Sequence, residues 1–319
     1  MNVVALKTRL ASTERSTWYT LASIGLILIV GSIFTLVTQG SLSFLNPFYI
    51  LQQMQIASFL GIAATGMMVV ILLGHIDLSL PWVIATSAML SVAVGGWSAL
   101  FLGLLIGALA GLVNGLGVAF LRVPSMIFTL GMNTVLQGLM VVFTGGFAPR
   151  SEAPEWMEVL AIGKTLAIPN SVFVWIVVGA MAVFLLTRTP LGRFIYAVGN
   201  REQAVFLSGV RTPWVLVAGF VVSGICSAIC GMLLAGFSHK AYQAMGDGYM
   251  MSAVAAVVIG GTNIMGGRGT YLGTVLGTIL IVLLQSVLSV MQMPDAGRQI
   301  IYGGIIIAML LVYGRQAQH

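Results

Sequence analysis

The chain has 319 residues, of which 59% are hydrophobic and only 7% are charged, and its mean hydropathy is +1.05. Soluble domains carry about a quarter charged residues, so this composition excludes a soluble globular protein and predicts an all-α, polytopic integral membrane protein. The formal net charge of +6 does not indicate a nucleic-acid partner, because the basic residues are scattered between apolar runs.

Apolar runs of about 20 residues, bounded by charges, prolines or polar clusters, predict ten membrane-spanning helices. They are expected near residues 19–38, 48–73, 80–97, 99–121, 125–144, 171–187, 214–236, 249–262, 270–291 and 298–314. The chain then divides into an N-terminal segment, 1–18, a single transmembrane domain, 19–314, and a tail, 315–319. An even number of crossings puts both termini on the same side of the membrane.

The basic residues fall mainly on one side when the N-terminus is placed in the cytoplasm. Of the 14 lysines and arginines, ten then lie inside: Lys7, Arg9, Arg15, Arg122, Arg188, Arg193, Arg201, Arg211, Arg268 and Arg315. The other four lie outside: Arg150, Lys164, Lys240 and Arg298. Short cytoplasmic loops of membrane proteins carry an excess of Lys and Arg, so both termini are predicted to be cytoplasmic.

Asp77 follows the second predicted helix. An acid at the edge of an apolar segment is costly unless it is paired or hydrated, which makes Asp77 a candidate functional residue. With Ser79 it can also cap the helix that begins at Leu80 or Pro81, because proline is favoured in the first helical turn. The pattern favours this cap over a direct role in a solute pathway.

Polar amides also occur within the predicted spans, at Asn114, Asn133 and Gln137. Such side chains are expected to face the protein interior rather than lipid. They either contact a polar solute or tie helices together, and the sequence leaves both open. With Asp77 they are the candidate residues of a substrate pathway.

Glycines recur every four residues in the fourth predicted helix, at Gly103, Gly107, Gly111 and Gly115. This spacing gives a helix a smooth face that another backbone can approach closely. Static helix packing is favoured over a sliding surface, because small-residue packing is so general in membranes.

The longest outer loop, 145–170, is acidic and marked by prolines, and Trp156 within it is typical of a segment lying in the membrane interface. Its string Gly163-Lys164-Thr165 resembles the end of a phosphate-binding loop. That motif needs another glycine where Glu158 stands, so we reject it. No nucleotide site is visible, and any ATP must be bound by another subunit.

Catalysis and metal binding are not indicated by the sequence. The three histidines, His75, His239 and His319, make no metal-ligand spacing with one another or with a cysteine or carboxylate. No serine is paired with a histidine on a shared helix face. Cys226 and Cys230 are expected to be small, buried apolar residues.

The segment from Arg188 to Pro213 is the only long, charged, amphipathic stretch in the chain. Asn200 is the expected N-cap of a short helix, with Gln203 completing a capping box, and Gly209 is the expected C′ residue. The pattern predicts a helix of about two turns that lies outside the bilayer and is suited to docking onto a soluble partner.

Three stretches together resemble one known family. Residues 74–79 (Gly-His-Ile-Asp-Leu-Ser) resemble its Gly-Gly-Ile-Asp-Leu-Ser signature. Residues 191–199 with 207–210 resemble its cytoplasmic loop, and residues 255–263 with 266–269 resemble its late glycine-rich segment. The family is the ribose/xylose-type sugar permeases of bacterial ATP-binding-cassette importers.

The resemblance implies a ten-helix, multi-pass subunit of the bacterial inner membrane, paired with a second identical or closely related permease subunit. Its other partners would be a periplasmic solute-binding protein and separate cytoplasmic ATPases, which bind ATP and Mg; this chain would hold no cofactor of its own. In that family the loop engages the ATPase, so the coupling role passes by position to Gly192, Arg193, Gly199, Glu202, Leu207 and Gly209. ATP-driven closure of the ATPases would reorient the solute path by alternating access.

The substrate stays open, because Met250-Met251-Ser252 stand where the family commonly has Glu-Leu-Asp. A monosaccharide is expected, with a polyol or a sugar-like signal as alternatives. The alternative function is a secondary transporter driven by an ion gradient, which should carry intramembrane charges; beyond Asp77 the chain has almost none. A structural or channel protein would have no reason to keep a capped amphipathic helix on the inner side.

Overall fold

The computed structural model describes residues 3–40, 43–294, 296–298, 300, 301, 303, 304 and 307, and these form a bundle of α-helices with one small hairpin. In chain order the helices are α1 Val3–Gln39, α2 Pro47–Leu72, α3 Leu80–Val94, α4 Ser98–Phe120, α5 Ser125–Thr144, α6 Glu155–Ala161, α7 Asn170–Arg188, α8 Pro190–Leu207, α9 Thr212–Ser238, α10 Tyr249–Ile259 and α11 Tyr271–Val290. In the hairpin, β1 (Lys164–Thr165) pairs antiparallel with β2 (Ile168–Pro169). Single 3-10 turns occupy Ser43–Leu45 and Gln243–Gly246.

In the described part of the chain, seven helices are long and apolar enough to cross a membrane: α1, α2, α4, α5, α7, α9 and α11. The prediction of an all-α, polytopic membrane protein is thereby confirmed. Helices α3 and α10 occupy the predicted spans 80–97 and 249–262 but end earlier, at Val94 and Ile259. Each is followed by a glycine of positive φ, Gly95 at 71° and Gly261 at 89°, a conformation that a helix cannot continue through.

The other predicted spans coincide with helices to within about two residues, except at the two ends of the chain. Helix α1 begins at Val3 rather than at residue 19, so it runs through most of the predicted N-terminal segment. The tenth predicted helix, 298–314, lies mostly outside the described residues, and the tail 315–319 lies wholly outside them.

Helix α2 forms the centre of the bundle. It is apolar on all sides and buried continuously from Ala57 to Leu72, as expected of a helix surrounded by others. Helices α7, α9, α10 and α11 pack around it, while α3 and α4 pack against α9. The core is therefore built on α2 and α9, and the ends of these two helices position the loops described below.

The four glycines of α4, Gly103, Gly107, Gly111 and Gly115, line the face that packs on α9. A Cβ atom added at Gly107 or Gly111 would overlap backbone carbonyl oxygens of α9, those of Gly224 and Phe220. The two backbones therefore touch directly, which only glycine allows at these positions. Static packing of these two helices, rather than sliding between them, stays a prediction.

Candidate functional site

Four connecting segments meet at one end of the bundle: 73–79, 121–124, α8 with its flanking turns, and 260–270. The amide of Gly267 donates to the carbonyl O of Leu72 at 2.9 Å, and Asn200 Nδ2 donates to the carbonyl O of Gly267 at 3.1 Å. Arg122 and Glu202 form an ion pair at 2.9 Å. This end collects the loops that were assigned to the inner side from their basic residues.

The loops assigned to the outer side meet at the opposite end. Trp156 Nε1 donates to the carbonyl O of Gly96 at 2.8 Å, and the Trp156 ring stacks on that of Trp97 with centroids 6.0 Å apart. The amide of Ala153 donates to the carbonyl O of His239 at 3.0 Å. The two sets of loops are thus separated by the length of the bundle.

Helix α8 consists of two helical pieces, residues 190–200 and 202–207. They join at Arg201, whose extended backbone (φ −160°, ψ 90°) interrupts the helix. Thr189 caps the first piece, its hydroxyl accepting from the Gly192 amide at 3.2 Å. The second piece ends at Leu207, and Gly209 then has a φ of 84°, which confirms it as the C′ residue.

The prediction that Asn200 is an N-cap is wrong. Its side chain does not accept from a free amide; instead Nδ2 donates to the carbonyl O atoms of Tyr196 and Gly267. Asn200 reaches across to the 260–270 loop, and the helix continues through it and breaks one residue later, at Arg201. The expected helix of two turns is therefore the second half of a longer, bent helix that starts at Pro190.

Two of the six predicted coupling residues pack inward. A Cβ atom at Gly192 would overlap the carbonyl oxygens of Leu185 and Leu186, and one at Gly199 would overlap that of Leu72. These glycines let α8 lie directly on α7 and on the end of α2. They hold the helix in place rather than forming its outer surface.

The remaining predicted coupling residues, except Glu202, are exposed. Arg193, Leu207 and Gly209 face away from the bundle, and Leu207 is 85% exposed. Sequence reasoning passed over Phe206, which is 58% exposed beside Leu207, and the exposed Arg201. We call these five residues, Arg193, Arg201, Phe206, Leu207 and Gly209, the α8 surface.

Glu202 holds the second piece of α8 to neighbouring loops. Besides its ion pair with Arg122, its Oε1 accepts from the Thr212 hydroxyl at 3.3 Å. Burial lowers the pKa of the nearby His75 imidazole, and the negative charge of the Glu202 carboxylate opposes this shift. Arg122 could not be recognised from the sequence as the partner, because the two residues are far apart in the chain.

Asp77 is the centre of a buried polar cluster in the loop between α2 and α3, and it is only 1% exposed. Its Oδ1 accepts from the amide and the hydroxyl of Ser79, at 3.0 and 2.6 Å, and its Oδ2 accepts from the Ser223 hydroxyl of α9 at 2.9 Å. Asn114 Nδ2 of α4 donates to the Ser79 hydroxyl at 2.8 Å. The cluster thus ties the loop to both α4 and α9.

The prediction that the side chains of Asp77 and Ser79 cap α3 is therefore wrong. Ser79 stands at the N-cap position of α3 but makes no capping hydrogen bond with its side chain, and Asp77 bonds only Ser79 at this helix end. The amides there are bonded by α5: Thr129 Oγ1 accepts from Leu78 N at 2.9 Å. Burial raises the pKa of the Asp77 carboxyl, and the hydrogen bonds from Ser79 and Ser223 oppose this shift.

The four candidate pathway residues do not form one site within the subunit. Asp77 and Asn114 belong to the buried cluster, whereas Asn133 Oδ1 accepts from the Trp82 amide at 3.3 Å and so ties α5 to α3. Gln137 was expected to face the protein interior, but it is exposed on the surface of α5. Among the described residues, no group of three or more His, Cys, Asp or Glu side chains is placed to hold a metal ion.

Comparison with known proteins gives a match over residues 49–310 to a family described as the permease component of branched-chain amino acid transport systems. The chain is 33% identical to the ribose import permease protein of Haemophilus influenzae over 90% of both chains. It is 32% identical to the ribose import permease protein of Escherichia coli K12, covering 84% of this chain and 85% of the relative.

A further relative is the autoinducer 2 import system permease protein of Salmonella paratyphi B, which is 32% identical over 81% of this chain and 76% of the relative. No solved structure matches the chain. The resemblance drawn from the three sequence motifs is confirmed by these matches.

Proposed function

The chain belongs to the family of permease components of the branched-chain amino acid transport type, and on this premise we propose that it is the transmembrane subunit of an ATP-binding-cassette importer. Members of this family are transport subunits rather than enzymes. Transport would be driven by hydrolysis of ATP, which would be bound with Mg by separate ATPase subunits.

The proposed substrate is a monosaccharide or a similar small polar solute. Two of the relatives are named for ribose import and one for import of autoinducer 2, and they are about equally similar to this chain. The polar, uncharged character common to such solutes fits a chain that has few charges within its spans.

The α8 surface is the proposed docking site for the ATPase. The observation that carries this proposal is that α8 rests on the ends of α2 and α7 through Gly192 and Gly199, while Phe206 and Leu207 remain exposed at its tip. Large apolar side chains that are exposed on a helix outside the membrane mark an interaction surface. Closure of the ATPases would push on α8 and so on the central helix α2, giving alternating access.

The proposed orientation places the α8 end of the bundle in the cytoplasm and the 145–170 loop in the periplasm, where a solute-binding protein would dock. It rests on the sorting of basic residues between the two ends. The proposal includes ten crossings of the bacterial inner membrane and cytoplasmic termini. Seven crossings would be the long helices, two would be the short helices α3 and α10, and the tenth would be the predicted helix 298–314, which lies mostly outside the described residues.

The proposed translocation path runs along the exposed face of α5, between this chain and a second permease subunit. Gly131, Thr134, Gln137 and Gly138 are all exposed there, in a helix long enough to span the membrane. An amide such as Gln137 facing lipid would be costly. A second subunit and a polar path between the two copies would remove that cost.

The docking proposal is tested by Leu207→Asp in the transporter reconstituted with its ATPase and binding protein. A buried carboxylate at the interface should abolish solute-stimulated ATP hydrolysis, since an unpaired charge is costly to desolvate. Leu207→Met, which keeps an apolar side chain of similar size, should retain it. Full stimulation in the aspartate variant would refute the docking role of α8.

A further inference from the structure

An apolar groove of about 630 Å³ opens on the side of the bundle, at the end that carries the 145–170 loop. Its walls come from α4, α7 and α9, and its roof comes from α6 and the hairpin. The apolar walls include Leu100, Leu104, Val177, Met181, Ile229 and Leu233. None of these residues belongs to the surfaces assigned above to coupling or to the solute path.

The groove has the length of one bilayer leaflet. Along α7 its lining runs from Asn170 to Met181, which is about 16 Å of helix at 1.5 Å per residue. The hydrocarbon core of a bilayer is about 30 Å thick, so the groove reaches from the membrane surface to near its midplane.

The groove is too short to hold a membrane-spanning helix along its whole length. Its lining covers about 16 Å of α7, whereas a helix that crosses the hydrocarbon core of a bilayer is about 30 Å long. The acyl chains of a phospholipid extend through one leaflet, which matches the length of the groove, and its apolar walls suit them.

The polar groups of the groove gather at its outer end. Thr165 and Asn170 line it there, bonded to each other at 2.7 Å, and Lys164 beside them is exposed on the hairpin. Lys164 places a positive charge at the level where lipid headgroups lie. Lys164 does not line the groove itself, but it is adjacent to Thr165, which does, and its long flexible side chain can reach a phosphate at this rim.

We propose that the groove is a binding site for a membrane phospholipid of the leaflet next to the 145–170 loop, with its acyl chains against α4, α7 and α9 and its phosphate at Lys164. The bound lipid would fill the gap between α7 and the pair formed by α4 and α9. It would thereby stabilise the packing of these three helices, because a ligand that binds only the folded state raises stability.

Native mass spectrometry of the purified protein tests this proposal, with palmitoyl-oleoyl phosphatidylglycerol as the probe. Val177→Trp should weaken retention of the first lipid by at least about tenfold, because each methylene kept out of the groove weakens binding by roughly fourfold. Ile176→Trp is the matched control: residues 176 and 177 are 59% and 58% exposed on the same helix, but only Val177 lines the groove. Equal retention of the first lipid by both variants would show that the protein holds only annular lipid, and it would refute the proposed binding site.

The headgroup contact is tested separately with a surface substitution that does not affect folding. Lys164→Gln should lower phosphatidylglycerol retention by about two- to fivefold, the scale of an exposed ion pair, and leave retention of a diacylglycerol with the same chains unchanged. Lys240→Gln, at another exposed outer lysine, should have no effect. If Lys164→Gln lowers the retention of neither lipid, or of both equally, the phosphate contact is refuted.

Discussion

At the scale of single residues, Asp77 shows how a buried carboxyl group can be held by neutral hydrogen-bond donors. Three hydrogen bonds from Ser79 and Ser223 reach its carboxylate, and no ion pair to it is present in the described structure. Loss of this carboxyl group would leave the Ser79 donors in the loop and the Ser223 hydroxyl on α9 without their acceptor, and Asn114 of α4 bonds the same Ser79 hydroxyl. The residue thus acts chiefly as a joint between the α2–α3 loop, α4 and α9.

Substitution of Asp77 should separate the loss of charge from the loss of hydrogen bonds. Asp77→Asn keeps an acceptor for Ser79 and gains a donor for Ser223, so we expect a cost of about 1 kcal/mol. Asp77→Ala leaves buried groups unsatisfied and should cost about 3 kcal/mol. Thermal unfolding in detergent measures both, with the exposed Asp247→Ala as a control of little effect. If Asp77→Asn abolishes transport at unchanged stability, the residue acts directly in the solute pathway instead.

Gly199 is a residue at which a single methyl group should matter. Gly199→Ala places a Cβ atom against the carbonyl O of Leu72, and overpacking of this kind costs about 1–3 kcal/mol. The matched control is Gly248→Ala, where nothing lies within 4 Å of the added atom and stability should change little. Unfolding curves of both variants check this. Equal stability would show that α8 lifts easily from the end of α2.

At the scale of elements, the two pieces of α8 are held by different parts of the bundle. Residues 190–200 rest on α2, α7 and the 260–270 loop through glycine contacts and Asn200, whereas residues 202–207 are held by the pair of Glu202 and Arg122. The extended residue Arg201 lies between the two pieces. Helix α8 therefore contacts the rest of the bundle through two separate sets of residues.

Charge reversal at Glu202 should uncouple the tip from the bundle. Glu202→Lys places two cations together, and we expect solute-stimulated ATP hydrolysis of the reconstituted transporter to fall at least about fivefold. The double variant with Arg122→Glu restores an ion pair of opposite sense and should recover much of the activity. If the double variant is no better than Glu202→Lys, then Glu202 acts by contact with a partner and not through Arg122.

At the scale of the whole molecule, the bundle separates two sets of loops that differ in charge. The end with α8 collects Arg122, Arg193 and Arg268, while the other end carries the acidic 145–170 loop. The described contacts join loops within each set, at Gly267 with Leu72 on one side and at Trp156 with Gly96 on the other. The fold therefore has two chemically distinct ends, as a transporter working between two compartments requires.

Cysteine labelling tests which end faces the cytoplasm. Leu207→Cys and Leu166→Cys place thiols at positions that are 85% and 88% exposed at opposite ends, and the native Cys226 and Cys230 are both buried. In intact spheroplasts a membrane-impermeant maleimide should label the cysteine at 166 and leave the one at 207 unlabelled until lysis. The reverse pattern would invert the proposed orientation and remove α8 from contact with cytoplasmic ATPases.

The amino-acid sequence by itself determined the class of fold and the bounds of six long helices, α2, α4, α5, α7, α9 and α11, because the length of an apolar run is set by the membrane and needs no knowledge of neighbours. It also located the C′ glycine at Gly209, since a left-handed backbone position selects glycine locally. The family resemblance likewise rested on short contiguous motifs.

Only the tertiary structure decided how polar side chains are paired. Asp77, Glu202 and Asn200 bond Ser223, Arg122 and Gly267, each far away in the chain. At Asp77 and Asn200 these long-range bonds overrode the predicted capping patterns. A local sequence pattern predicts only the hydrogen bonds that a side chain can make with its neighbours in sequence. In a buried site the bonds actually formed depend on which groups the packed helices bring within about 3 Å.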